Sequence, residues 1–210
     1  ALLVICIFGK FLLYGFFHTE QINKKEKNNR MMIRILSQIV EFRNNESGSH
    51  VLHIEKLTEM LMNRLIHKTD RYNIDPVQQD LIPIASALHD IGKIGIDEKI
   101  LNKPGKLTPE EFEKMKQHSV IGEAILTSAK ANTNEPLIKI ASQICRWHHE
   151  RYDGKGYPDG LKGDEIPICA QIVSLADVYD ALTSERVYKK AFSHEQTMEM
   201  IQTGQCGAFN

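Results

Sequence analysis

The stretch Ala87-Leu88-His89-Asp90-Ile91-Gly92-Lys93-Ile94-Gly95 decides how the rest of the chain is read. A histidine followed directly by an aspartate closes an apolar run that opens at Leu81, and a lysine follows within about a turn. Read as neighbours on a helix, His89 and Asp90 diverge by about 100°. From there they reach one metal from two sides, or the aspartate bridges two metals. Lys93, four residues after His89, falls on the same helical face and is placed to steer a phosphate or a metal-bound hydroxide. Alone, the dipeptide reads equally well as a buried histidine beside a surface aspartate, and the rest of the chain has to decide.

Working outward, the pattern is helical throughout. Toward the N-terminus, Val51, Ile54, Leu57, Leu61 and Leu65 form one stripe, and Ile33, Leu36 and Ile39 or Val40 another. Asp75-Pro76 punctuates before Leu81. Beyond the central stretch, Thr108-Pro109-Glu110-Glu111 is a strong helix start, and that helix sets Met115, His118, Gly122 and Ile125 on one face. Leu137 to about His149 spaces Ile140, Ile144 and His148 four apart. Residues 150–167, with four glycines and two prolines, form a long irregular loop of the kind usually kept for function. Ile168 to Thr183 reads as a helix, and Ser193 with Gln196 caps another. With no strand pattern and no internal repeat, the expected fold class is all-α.

At the other end, Ala1 to Phe17 is almost wholly apolar, and the run Lys24 to Arg30 that follows is basic. Residues 1–17 are therefore expected to be the end of a transmembrane helix, with the basic run on the cytoplasmic side. Residues 18–32 then form a helical linker, and 33–210 a domain. The first residue is not Met and the pattern stops in mid-course at Asn210, so both ends are expected to be cut.

A net charge of -1 gives no general pull toward DNA or RNA, so an anionic substrate needs a local basic site. The cysteines Cys6, Cys145, Cys169 and Cys206 are scattered without a CxxC pair, which suits a reducing cytosol.

Ligand-type residues recur at the ends of successive helices: Glu46 and His50, His89 and Asp90, His118, His148 and His149, then Asp177. Each alone has an ordinary reading, such as a satisfied core histidine for His118, a surface pair for His148-His149 or a capping acid for Asp177. Together they are too many ionisable groups to bury unless metal or mutual pairing compensates. Imidazole and carboxylate without thiolate favour iron or manganese, with zinc an alternative. The set suits two ions about 3.5–4 Å apart, or three, which would activate a water and clamp a phosphodiester.

These residues carry a resemblance. His89 to Ile96, Leu101 to Thr108, His148-His149-Glu150, Asp153-Gly154, Gly156-Tyr157-Pro158, Gly160-Leu161, and Ala176-Asp177 with Asp180 to Ser184 resemble the HD-GYP family of HD-domain phosphohydrolases over about residues 33–210. The resemblance implies a helical bundle with an irregular Gly-Tyr-Pro loop and hydrolysis of the bacterial messenger cyclic di-GMP to the linear dinucleotide, then GMP. It implies metal ligands at Glu46, His50, His89, Asp90, His118, His148, His149 and Asp177, with Glu46 making a third ion plausible. Iron or manganese leads, with zinc, magnesium or nickel as alternatives. Asp90 and Lys93 fall in the catalytic positions, and Arg186 and Lys189 in the phosphate-contacting ones. Gly156 lets backbone approach a ligand, and Tyr157 stacks on guanine, binds phosphate or anchors the loop. The family uses this loop to meet other signalling proteins, GGDEF-type proteins among them. An upstream sensor domain, a cytoplasmic catalytic domain anchored at the cell membrane and no DNA partner are the further expectations, and a homodimer is left open. Asp97 and Val187 stand where the family commonly has proline. His53 lies one turn from His50, close enough to contact the ligands from behind.

Overall fold

The computed structural model describes residues 2–44, 48–128, 135–185 and 190–210, with side chains from residue 14 onward. Eight α-helices follow one another among these residues, and the only extended pairing among them is one isolated bridge between Asp153 and Lys162. The helices are α1 (Leu2–Arg43), α2 (His50–Lys68), α3 (Pro76–Ser86), α4 (Glu98–Leu101), α5 (Pro109–Thr127), α6 (Pro136–Trp147), α7 (Ile168–Thr183) and α8 (His194–Gln202). Short 3₁₀ turns occupy Ile91–Gly95 and Gly163–Glu165.

Local chemistry explains most boundaries. Asp75 with Gln78, Thr108 with Glu111, and Ser193 with Gln196 each close a reciprocal capping box. Such caps are worth about 1 kcal/mol each. Asp75-Pro76 is therefore the start of α3, five residues before the apolar run at Leu81. Asp97 caps α4 by accepting from Lys99 N at 2.8 Å. Val187 lies outside the described residues.

The core is made by α2, α3, α6 and α7, with Ile54, Met62, Ile82, Ala85, Ile140, Ile144, Val173 and Ala176 at its centre. On α1 the expected stripe holds in part, at Ile33 and Val40. Ser37, Val40 and Glu41 are buried and Ile33 is half-buried against the core, whereas Leu36 and Ile39 are exposed. Ile125 of α5 is likewise exposed.

One helix, α1, runs unbroken for 42 residues through the expected segment 1–17 and the expected helical linker 18–32. No helix among the described residues is long and apolar enough to cross a membrane. The side chains of residues 1–13, which carry most of the expected membrane segment, lie outside the described set.

Candidate metal centre

The His89-Asp90 pair is not on an α-helix. After Ser86 the chain tightens into i→i+3 turns: Leu88 N donates to Ala85 O at 3.0 Å, His89 N to Ser86 O at 3.2 Å and Ile91 N to Leu88 O at 3.0 Å. Side chains three apart eclipse in such a turn. Lys93 therefore stands over Asp90 rather than over His89, with Nζ 2.6 Å from Asp90 Oδ2. Gly92 is what allows this turn to lie against α5, since a Cβ there would stand 1.9 Å from His118 O and 2.5 Å from Gly122 N.

Four histidines present the same nitrogen to the centre. Nδ1–H of His89 donates to Ser86 O (2.9 Å), that of His118 to Met115 O (2.7 Å) and that of His148 to Ile144 O (2.9 Å). His50 Nδ1–H donates to Asp180 Oδ2 at 2.6 Å. Each of these bonds occupies Nδ1–H and turns Nε2 toward the centre, where it is a lone pair whenever the ring is neutral. The Nε2 atoms of His89, His118 and His148 and the Oδ1 of Asp90 are buried without a hydrogen bond. Asp90 sits between them: Oδ1 lies 3.3 Å from His118 Nε2 and 3.8 Å from His148 Nε2, and Oδ2 lies 3.3 Å from His89 Nε2. Buried lone pairs facing a buried carboxylate are costly unless a cation lies among them.

Two ligand groups result. Asp90, His118, His148 and His149 offer atoms all within 4.8 Å of one another, and so do His50, His89 and Asp177. His50 Nε2 lies 3.6 Å from Asp177 Oδ1. Through its two oxygens Asp90 faces both groups. An all-imidazole-and-carboxylate donor set fits divalent iron, manganese or zinc.

Without metal, the electrostatics divide the histidines. Burial opposes ionisation of Asp90, but Lys93 and His89 outweigh it and hold the carboxyl well below its ordinary value. Burial opposes charge on His89 too, yet the Asp90 carboxylate carries it up to about 9. His148 goes the other way, pushed down to about 3 by burial and by the charge of His89. Burial likewise lowers His118 and His149.

The irregular loop is braced against this centre. Glu150, buried, accepts from Asp159 N at 2.7 Å and Gly160 N at 3.0 Å. Arg146 forks onto Asp159 at 2.7 and 2.8 Å and also holds Glu123. The Tyr157 ring lies 4.7 Å from the His149 ring, Phe112 meets it edge-on and the Lys116 ammonium stands 5.6 Å from its centroid. Burial raises the Tyr157 hydroxyl, which stays protonated at neutral pH. Gly156 serves internal packing: a Cβ would meet Arg151 N and Glu150 Cα at 2.4 Å.

Seven of the eight expected ligands thus converge: His50, His89, Asp90, His118, His148, His149 and Asp177. Glu46 lies outside the described residues, as do Arg186 and Lys189. The sequence reading gave no role to Asp180, which orients His50 and also accepts from His53 Nδ1 at 2.9 Å. Its place three residues after Asp177 on α7, close to one turn, was the available signal.

Comparison with known proteins bears on this geometry. A family model described as HD domain matches residues 30–206. The chain belongs to the HD-domain family. Among similar proteins, a "Probable cyclic di-GMP phosphodiesterase" of Vibrio cholerae is 41% identical over 202 residues, covering 93% of this chain and 46% of that protein. A "Cyclic di-GMP phosphodiesterase" of Thermotoga maritima is 41% identical over 172 residues, covering 82% and 44%. A "3'3'-cGAMP-specific phosphodiesterase 2" of Vibrio cholerae is 39% identical over 180 residues, covering 85% and 32%. These relatives bear out the HD-GYP resemblance within the HD-domain family. The chain spans less than half the length of each of the three.

Proposed function

We propose that this chain is the catalytic unit of a metal-dependent phosphodiesterase acting on cyclic di-GMP. The observation that carries this reading is the single carboxylate, Asp90, facing two groups of imidazole nitrogens at coordination range. Asp90, His118, His148 and His149 would hold one divalent ion. His50, His89 and Asp177 would hold a second, with Asp90 between them, and Glu46 would complete a third. Such ions, when bound, lower the pKa of a water and neutralise phosphoryl charge.

The chain's own residues do the rest. Main-chain carbonyls keep His89, His118 and His148, and Asp180 keeps His50, in the metal-binding tautomer. Lys93 holds Asp90 ionised and sets a positive charge beside the phosphate position. Arg186 and Lys189 supply further phosphate contacts, Arg as a fork and Lys as a point charge. Tyr157, protonated and set against His149, limits water at the mouth of the site and offers an aromatic face to a guanine. Gly156 lets the loop lie close enough to do so.

On this reading iron or manganese is the working metal, and the linear dinucleotide and GMP are the products. The apolar residues 1–17 and the basic run after them support anchoring to a membrane, with the catalytic part in the cytoplasm. GGDEF-type proteins meeting the Gly-Tyr-Pro loop, an upstream sensor and a homodimer belong to the same proposal. The name of the 39%-identical relative supports a second substrate, the mixed cyclic dinucleotide 3'3'-cGAMP.

The test is turnover by anaerobically purified protein, loaded with manganese or iron, on both cyclic dinucleotides. Hydrolysis of cyclic di-GMP that vanishes in Asp90→Ala is expected. Preference for 3'3'-cGAMP would shift the substrate assignment. Binding without hydrolysis would make the chain a receptor, and residual turnover in Asp90→Ala would refute the role of that carboxylate.

A further inference from the structure

The turn that carries Asp90 and Lys93 is held from both sides. One side is α5, against which Gly92 packs. The other is the last residue of α1. Arg43 Nη1 donates to Lys93 O at 3.0 Å and to Ile94 O at 2.7 Å, and Nη2 donates to Ile96 O at 2.9 Å. The Arg43 carbonyl in turn accepts from Asn102 Nδ2 at 3.0 Å, which ties the end of α1 to the segment just beyond the turn.

These carbonyls need a partner. Lys93 O also accepts from Ile96 N at 3.1 Å, but the carbonyls that follow stand at the end of a helical turn, where an internal donor is lacking. A guanidinium presents five donors in a rigid plane and can serve several carbonyls at once, which an ammonium at the end of a flexible stem does less well. Arg43 is half-buried, so these bonds are partly shielded from water. The bonded atoms belong to the main chain of Lys93 and its neighbours, three residues from Asp90 and closed onto it by the 2.6 Å ion pair.

We infer that Arg43 is a positioning residue for the metal centre: it fixes the Ile91–Gly95 turn, and through Lys93 the Asp90 carboxylate, to the end of α1. The inference rests on the proposed metal-dependent activity for its catalytic readout. It goes beyond that reading in making the site depend on where a 42-residue helix ends. A shift of α1 along its axis would pull on three carbonyls of the turn that bears Lys93, and α1 is thereby a route by which anything acting on that helix reaches the centre. Outer partners of metal ligands typically carry about 10–100-fold in metal affinity or activity, and Arg43 belongs in that range although it touches no ligand side chain.

The experiment uses the full chain with Arg43→Ala, Arg43→Lys and, as control, Arg34→Ala. Arg34 also ties α1 to the domain, by a fork onto Glu55 of α2 at 2.7 Å on both arms, but it does not touch the turn. Three quantities are read. They are manganese affinity by titration of metal-free protein, amide exchange across residues 91–97, and kcat against KM. Arg43→Ala is expected to weaken manganese binding by about 10-fold or more, to speed exchange across the turn, and to lower kcat with KM nearly unchanged. Arg43→Lys should recover part of each loss, and Arg34→Ala should leave all three at wild-type values. If Arg43→Ala does not fold, Arg43→Lys decides alone by the same three readings. Wild-type manganese affinity and turn exchange in a folded Arg43 variant would overturn the inference, as would equal losses in Arg34→Ala. Manganese affinity and amide exchange need no substrate. A wild-type chain that binds metal but hydrolyses neither cyclic dinucleotide would sink the proposed function while leaving the role of Arg43 to be judged on these readings.

Discussion

Replacing Gly92 by alanine tests the geometry at its tightest point. The added Cβ would stand 1.9 Å from His118 O, 2.5 Å from Gly122 N and 2.9 Å from Gly122 Cα. All three are backbone atoms of α5, so no side chain can swing away. Ordinary contact begins at 3.4 Å, and relief therefore needs the turn and α5 to part by on the order of 1 Å or more. The two elements carry Asp90 and His118, whose facing atoms are 3.3 Å apart. A misplacement of about 1 Å costs an active site ~100-fold, while overpacking of this kind costs about 1–3 kcal/mol of stability. A domain of ordinary stability, about 5–15 kcal/mol, survives that. Gly92→Ala should therefore keep its helical circular dichroism, melt at a lower temperature, and lose manganese affinity and turnover by about two orders of magnitude. Gly15→Ala is the control: nothing lies within 4 Å of a Cβ there, and removing a mid-helix glycine should be neutral or stabilising by up to ~1 kcal/mol. A folded Gly92→Ala chain with wild-type metal affinity and turnover would refute the packing argument.

Asp180→Ala removes the acceptor of both His50 Nδ1 and His53 Nδ1. It should weaken metal binding at the His50–His89–Asp177 group by about 10–100-fold, leaving the Asp90–His118–His148–His149 group nearly intact, so that a titration shows one class of site lost; equal weakening of both groups would argue against the assignment. The metal-free protein should also show a stability maximum near pH 6.5. Below that pH the unfolded chain protonates His148 while the folded chain resists down to about 3, a loss of up to ~1.4 kcal/mol per pH unit for that group. His89 acts oppositely. Its folded value is raised to about 9, so its contribution is complete below about 6.5 and disappears as pH rises toward 9. Urea melts in chelator at acid, neutral and alkaline pH check this, and stability rising steadily through pH 8.5 would contradict it.

The site was legible because its ligands are chemically conspicuous and each sits at the edge of an apolar stripe. His50 opens α2, His118 faces inward from α5, His148 and His149 end α6, and Asp177 lies on α7. What the stripes do not encode is the backbone between them. The apolar run ending at Leu88 looks the same whether it continues as α-helix or tightens at Ser86, and the tightening moves Lys93 from His89 onto Asp90. The buried face of α1 escaped in part, for a related reason. Ser37 and Glu41 are buried there beside Val40 while Leu36 and Ile39 face out, so hydropathy marked only part of the buried face. The role of Arg43 depends on distances between elements, which no spacing along the chain reports, whereas Asp180 left one signal, its place three residues after Asp177. Gly156 was read as letting backbone approach a ligand, and the backbone its missing Cβ admits is that of Glu150 and Arg151.

The most direct measurement is anomalous diffraction from crystals of the manganese- or iron-loaded chain, recorded on either side of the metal absorption edge. The account predicts at least two peaks on opposite sides of the Asp90 carboxylate, about 3.5–4 Å apart, one among His118, His148 and His149 and the other among His50, His89 and Asp177. A single ion, or none, among these side chains in fully loaded protein would contradict it.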